Sequence, residues 1–223
     1  MDTDKSKFLE YCSWFGQGRR EEIAVNHLDH PERIWDSLPI NCTSLKVLLK
    51  QARIARITLD THFLLFAWDS KTGETFGWLA KEYTEYPDWL YSTHKSILGS
   101  MGGIIESFSL PDDSWLLNQD YVLAPPSHKD CQALHEYDWI FEDEGLENPI
   151  DLTEFYAIAQ ESNSNTTICH RNTGEVLLFA PDHSFSYLER YDSCPEFSYY
   201  RIANVHTFEE WINAIADQCL NLI

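Results

Sequence analysis

The stretch Thr166-Thr167-Ile168-Cys169-His170-Arg171-Asn172-Thr173-Gly174-Glu175-Val176-Leu177-Leu178-Phe179-Ala180 decides the fold class. Two short runs, 166–170 and 175–180, flank Asn172-Thr173-Gly174. Runs of β-branched and apolar residues around a glycine turn read as an antiparallel hairpin. Two weaker strands follow near Ser186 to Arg190 and Tyr199 to Ala203. Beyond them Phe208, Trp211, Ile212, Ile215, Ala216, Cys219 and Leu220 keep helical spacing, and Thr207 with Glu210 has the spacing of a capping box. The Phe208, Trp211, Ile212 and Ile215 stripe needs an apolar face to bury it, and the strand Val176 to Phe179 supplies one.

The same signals extend toward the N-terminus. Phe63 to Trp68 and Thr75 to Ala80 enclose the turn Asp69-Ser70-Lys71-Thr72-Gly73 and read as a second hairpin. Ile54, Ile57 and Leu59 mark a strand before it, and the strand pattern is expected from Leu45 onward. Both hairpins contain Thr-Gly-Glu, at 72–74 and 173–175, which is ordinary turn chemistry. Leu90, Thr93, His94, Ile97 and Leu98 form one helical stripe that Gly99, Gly102 and Gly103 bring to a close. Strand-like pieces follow at Ile104 to Phe108 and Trp115 to Ala124, separated by the turn Leu110-Pro111-Asp112-Asp113 and stopped by Pro125-Pro126. A short helix is expected over Lys129 to Tyr137, and another from Asp151, with Leu152, Phe155, Tyr156 and Ala159 as its buried face. Residues 1–44 read as helical and irregular, with Phe8, Tyr11, Cys12 and Phe15 on one apolar face. The fold class is α+β: a mostly antiparallel sheet with flanking helices, the C-terminal helix packed on the sheet. Residues 1–86 form an N-terminal extension with a β-hairpin, either adding strands to the same sheet or standing as a separate lobe, and 87–223 form the main domain.

Composition narrows the function. The chain has 223 residues, 16 Lys+Arg against 36 Asp+Glu, and a formal charge of −20. At 43% hydrophobic and 14% aromatic it is too apolar for charge-driven disorder. A field of that sign disfavours nucleic acid, anionic lipid and heparin as direct ligands and favours cationic partners. The longest apolar run, Phe63 to Trp68, falls far short of the roughly 20 residues that a membrane-spanning helix needs. The N-terminus lacks a basic start followed by an apolar stretch, so a cytoplasmic location is expected. Cysteines 12, 42, 131, 169, 194 and 219 are widely spread without a CxxC pair, which predicts reduced, mostly buried thiols and neither disulfide nor structural metal.

Motifs for chemistry are few. Gly99-Ser100-Met101-Gly102-Gly103 follows a helix, whereas a phosphate cradle follows a strand and opens a helix, so it reads as a helix stop. His27 and His30 flank Asp29, but Pro31 follows at once and a third metal ligand is not evident. Cys169-His170 and Asp182-His183 suggest a thiol and a base, yet adjacent strand residues point to opposite faces. No cofactor is implied. The carboxylate groups Glu21-Glu22, Asp112-Asp113 and Glu142-Asp143-Glu144 read more readily as solvated faces than as acid/base pairs. One cluster differs: Glu136-Tyr137-Asp138-Trp139-Ile140-Phe141-Glu142-Asp143-Glu144 mixes five carboxylates with three aromatics over nine residues. Aromatic anchors rimmed by charge are ingredients of a protein-binding hot spot. The candidate partner-binding residues are Asp112, Asp113, Trp115, Tyr137, Asp138, Trp139, Glu142, Asp143 and Glu144.

The helix ending at Met101-Gly102-Gly103-Ile104, the hairpin Gly174-Glu175-Val176-Leu177-Leu178-Phe179 running into Asp182-His183, and the closing Thr207-Phe208-Glu209-Glu210-Trp211-Ile212 helix together resemble the SUKH superfamily. This group holds bacterial toxin-immunity proteins, fungal cell-wall-synthesis regulators and some viral proteins. The resemblance covers about 87–223. It implies a non-catalytic α+β binding module without a cofactor and, among bacterial members, an immunity protein that neutralises a cognate toxin by direct binding. Net charge points the same way, since an acidic protein can occupy the basic cleft of a nuclease-type toxin. The alternatives are a small hydrolase using His183 with a carboxylate, and a regulatory scaffold subunit.

Overall fold

The computed structural model describes residues 2–110, 119–123, 131–161, 163–182 and 186–223. Among these the chain runs through α1 (Asp2–Tyr11), β1 (Ala24–His27), α2 (Glu32–Asp36), α3 (Thr43–Lys50), β2 (Arg53–Thr58), β3 (His62–Asp69), β4 (Thr75–Lys81), α4 (Ser92–Met101), β5 (Gly103–Phe108) and β6 (Gln119–Val122). A 3₁₀ segment (Cys131–Tyr137) then leads to α5 (Trp139–Asp143), β7 (Phe155–Glu161), β8 (Thr166–His170), β9 (Val176–Phe179), β10 (Leu188–Arg190), β11 (Tyr199–Ile202) and α6 (Phe208–Leu222). The described strands form one antiparallel sheet in the order β1-β2-β3-β4-β5-β6-β7-β8-β9-β11-β10. Most neighbours in space are neighbours in sequence, as short hairpin connections dictate. The sheet consists of two five-stranded wings joined through β6, which meets β5 at Ile104↔Val122 alone and runs beside β7 from Gln119 to Val122. Residues 1–86 therefore add strands to the same sheet: β4 pairs with β5 across the boundary at 87.

Both faces of the sheet are covered. On one face α2, α3, α4 and α6 share a continuous core with both wings, from Leu64, Phe66, Trp68 and Trp78 to Tyr156, Val176, Leu178 and Tyr200. Here α6 packs as its stripe requires, with Phe208, Trp211, Ile212 and Ile215 all buried. Large side chains of this kind contribute about 1.5–3 kcal/mol each when buried. The capping box is present: Thr207 Oγ1 accepts from the Glu210 amide at 3.3 Å, while Glu210 Oε2 accepts from the His206 and Thr207 amides at 2.8 and 3.0 Å. Polar contacts tie the layer together. Trp68 Nε1 donates to the Leu48 carbonyl at 3.0 Å, and both Tyr91 and Thr93 donate to the Glu209 carboxylate, joining α4 to α6.

Two glycines are dictated by close approach. Gly102 ends α4 at φ +79, where a Cβ would lie 2.2 Å from the Lys81 carbonyl oxygen. Gly174 turns the β8–β9 hairpin at φ +73 against the Tyr91 ring, 2.6 Å from where a Cβ would sit. No other residue type combines positive φ with so little room.

The structure corrects four expectations. Residues 43–50 form α3 rather than a strand, because Leu45, Leu48 and Leu49 are spaced for one helical face and are buried there. The irregular N-terminal reading missed β1, a mostly exposed strand that exists by pairing Ala24 to His27 with the edge of β2. The helix expected from Asp151 is instead strand β7. A bulge at Ile158, between Ala157↔Ile168 and Ala159↔Thr167, leaves Tyr156, Ile158 and Ala159 all in the helix-side core while Phe155 faces the other. That broken alternation imitates helical spacing. Finally, Tyr11 is 51% exposed, off the apolar face that Phe8, Cys12 and Phe15 bury. No helix among the described residues is long and apolar enough to cross a membrane.

Candidate binding surface

On the face opposite the helical layer, β7, β8, β9 and β11 present Phe155, Ile168, Leu177, Phe179 and Tyr199. Residues 131–152 cover them, burying Cys131, Leu134, Ile140, Phe141, Ile150 and Leu152. Ile140 and Phe141 plug the α5 side into the sheet, and Gly145 at φ +67 ends the helix. The Phe141 and Phe179 rings meet Tyr199 with centroids 6.1 and 5.1 Å away.

The structure divides the sequence-named residues of this segment by their work. Tyr137 is half-buried, its ring edge-on to Phe179 at 5.0 Å, so it anchors the cover. Asp138 staples the cover to itself: it contacts His135 Nδ1 at 2.8 Å and accepts from Asn148 Nδ2 at 3.1 Å. Trp139 is 55% exposed, on the first turn of a helix whose next two residues are buried. Glu142, Asp143 and Glu144 are exposed and make no ion pair among the described residues. Between residues 131 and 154 the sequence holds eight carboxylates, Glu136, Asp138, Glu142, Asp143, Glu144, Glu147, Asp151 and Glu154, and no Lys or Arg. The Thr153 hydroxyl and amide hold the Asp151 carboxyl below the usual aspartate range. Asp112, Asp113 and Trp115 lie outside the described residues, as does His183, on which the hydrolase reading depends.

The Cys169-His170 pair separates as strand alternation requires. Cys169 is wholly buried in the helix-side core, and desolvation pushes its thiol well above the ordinary cysteine range. His170 lies against Phe155 with ring centroids 5.0 Å apart, and its Nδ1 accepts from the Asn172 and Thr173 amides, both at 3.2 Å. A protonated, enclosed thiol and an imidazole engaged in a turn do not form a nucleophile and base. All six cysteines are buried and free. His27 and His30 line a cleft, and no group of three or more metal-ligating side chains is found among the described residues.

Sequence reasoning missed the polar network behind α4. His94 is fully buried, its Nδ1 3.1 Å from the Tyr156 hydroxyl, and burial drives the Tyr156 phenol far above its ordinary range. Trp89 packs edge-on against Tyr156 and under the Arg171 guanidinium, 4.6 Å from the ring. The only sequence signal was His94 lying on an apolar helical stripe. Comparison with known proteins finds no matching family model, no matching curated protein and no matching solved structure.

Proposed function

We propose that the protein is a non-catalytic binding protein that captures a basic protein partner on the acidic cover of residues 131–154, acting stoichiometrically as a toxin-neutralising immunity protein does. The observation that carries this reading is Trp139, 55% exposed on a helix pinned by Ile140 and Phe141 and followed by Glu142, Asp143 and Glu144 with no Lys or Arg in the segment. An aromatic held rigidly at the surface has little conformational freedom left to lose on binding, which is what a hot-spot residue needs. The surrounding carboxylates steer a basic surface toward it and raise the association rate. The nuclease-type toxin is the form of partner that the SUKH resemblance and the charge both favour, as a basic cleft built for a polyanion accepts such a face.

The test begins with tagged wild-type protein and the triple variant Glu142→Lys, Asp143→Lys, Glu144→Lys in parallel pull-downs from native lysate. A basic protein retained by the wild type and lost by the variant is then purified for stopped-flow association. Its on-rate should fall steeply as ionic strength rises from about 0.01 to 0.15 M, where the Debye length shrinks from about 30 to 8 Å, with much less change in the off-rate. Trp139→Ala should instead raise the off-rate, by about 30-fold for a hot spot worth about 2 kcal/mol. Salt-independent association, or binding indifferent to both variants, would reject this surface.

A further inference from the structure

A second site lies at the β1 edge of the sheet, away from the acidic cover. A cleft of about 480 Å³ opens between the end of β1, α2, the outer positions of β2 to β4 and the last turn of α4. That volume lies within the roughly 300–1,000 Å³ of ordinary small-molecule sites. Its apolar wall is Leu28, Ile34 and Leu64; its polar wall carries His27, His30 and Arg33. Two carboxylates also line the cleft, Asp29 and Glu82. Glu82 is committed, holding Arg56 through paired bonds of 2.9 and 2.8 Å. His30 Nδ1 sits 2.9 Å from Glu32 and leaves its other ring nitrogen available.

Arg33 is the informative residue. Of the eight arginines in the chain, Arg19, Arg53, Arg56 and Arg201 are ion-paired with carboxylates, Arg20 donates to the Leu9 and Ser13 carbonyls, and Arg171 lies over the Trp89 ring. Arg33 lines the cleft, and beyond a charge interaction with the neighbouring Glu32 carboxylate its guanidinium has no hydrogen bond or ion pair among the described residues. A guanidinium is a fork of donors matched to carboxylate or phosphate, with no acceptor to offer anything else. We infer that the cleft binds a small organic anion, its carboxylate or phosphate held by Arg33 with help from His27 and His30, and its apolar body against Leu28, Ile34 and Leu64. Selectivity follows from the overall charge: the −20 field repels anions at a distance, so only a compact ligand that fills the apolar wall as well as the cationic end gains enough to stay.

Isothermal titration with phenyl phosphate, benzoate and inorganic phosphate tests this, at low salt and with Zn²⁺ as a separate arm. Phenyl phosphate or benzoate should bind saturably at one site, with the better of the two identifying the headgroup, and inorganic phosphate should bind at least about tenfold more weakly for want of the apolar body. Arg33→Ala should weaken binding about tenfold or more, whereas Arg190→Ala, on the far edge strand, should leave it unchanged. Because Arg33 is exposed, the variant should fold as the wild type does, checked by an unchanged melting temperature. No saturable binding of either organic anion up to about 10 mM would overturn the inference, as would full affinity in Arg33→Ala or stoichiometric Zn²⁺ binding that His27→Gln abolishes. None of these outcomes depends on the acidic cover, so the two sites stand or fall separately.

Discussion

Two short covers close the same face of the sheet, one over each wing, and they use charge in opposite directions. Over the first wing, α1 and the chain to Ile23 bury Phe8, Cys12 and Phe15 against Ile57, Phe63, Leu65 and Phe108. Three of its charges are spent on holding it in place: Asp4 is paired with Arg53 at 2.9 Å, Lys5 donates to the Ile23 carbonyl at 3.0 Å, and Lys7 donates to Thr75 Oγ1 at 3.1 Å. Over the second wing, residues 131–152 do the same structural work with aromatic and aliphatic plugs, while Glu142, Asp143 and Glu144 are exposed and make no ion pair among the described residues. Closing a sheet face thus does not require the acidic surplus of the second cover. Like charges crowded along a short segment repel one another, so the surplus is a feature that packing tolerates and binding can use.

The helical face sets the scale against which either cover is measured. Trp211→Ala removes a side chain shared by the core of both wings, and should cost about 3–5 kcal/mol by denaturant titration, with the wings losing structure together. Separate transitions for the two wings would show that α6 does not unite them. Phe8→Ala should cost about 3 kcal/mol and act locally. Amide hydrogen exchange should speed in α1 and residues 12–23 while β7 to β9 keep their protection. Equal loss in both wings would erase the distinction between a cover and a core.

Smaller effects probe the ends of the comparison. Thr207→Ala should cost about 1 kcal/mol through the lost cap. In the same box Glu210 has its carboxyl held below the usual glutamate range, first by the His206 amide and then by that of Thr207. A carboxylate depressed in the folded state stabilises it above its unfolded value, near pH 4.3, and that contribution fades as pH falls through the lower folded value. Glu210→Gln should therefore lower stability at neutral pH, where the carboxylate's contribution is fully present, and converge on the wild type as pH falls, flattening the stability curve below about pH 5. Trp139→Ala should be the mildest of all, within about 0.5 kcal/mol in stability, since more than half of the indole is already in water. A loss of several kcal/mol there would mean that the second cover depends on Trp139 as the first depends on Phe8.

Local chemistry was legible in the sequence by itself. Thr207 and Glu210 announced the cap of α6, Phe208, Trp211, Ile212 and Ile215 its buried stripe, and Gly73 and Gly174 the turns of the β3–β4 and β8–β9 hairpins. Each of these signals is complete within a few residues, because a cap, a turn or a stripe satisfies its own hydrogen bonds or exposes its own apolar face. The mixture of carboxylates and aromatics at 136–144 was equally plain. Only the tertiary structure decided what depends on partners distant in the chain. Residues 155–161 became β7 because β6 and β8 offered ladders on both sides and cores lay above and below, whereas the bulged spacing alone suited a helix equally well. Ala24 to His27 became a strand through the open edge of β2, with almost no apolar face of its own. Within the acidic cluster, packing sent Tyr137 to Phe179 and left Trp139 in water, although both are aromatic and stand two positions apart. Burial belongs to the surroundings a side chain is delivered to, and the end of the 3₁₀ segment and the start of α5 deliver Tyr137 and Trp139 to different ones.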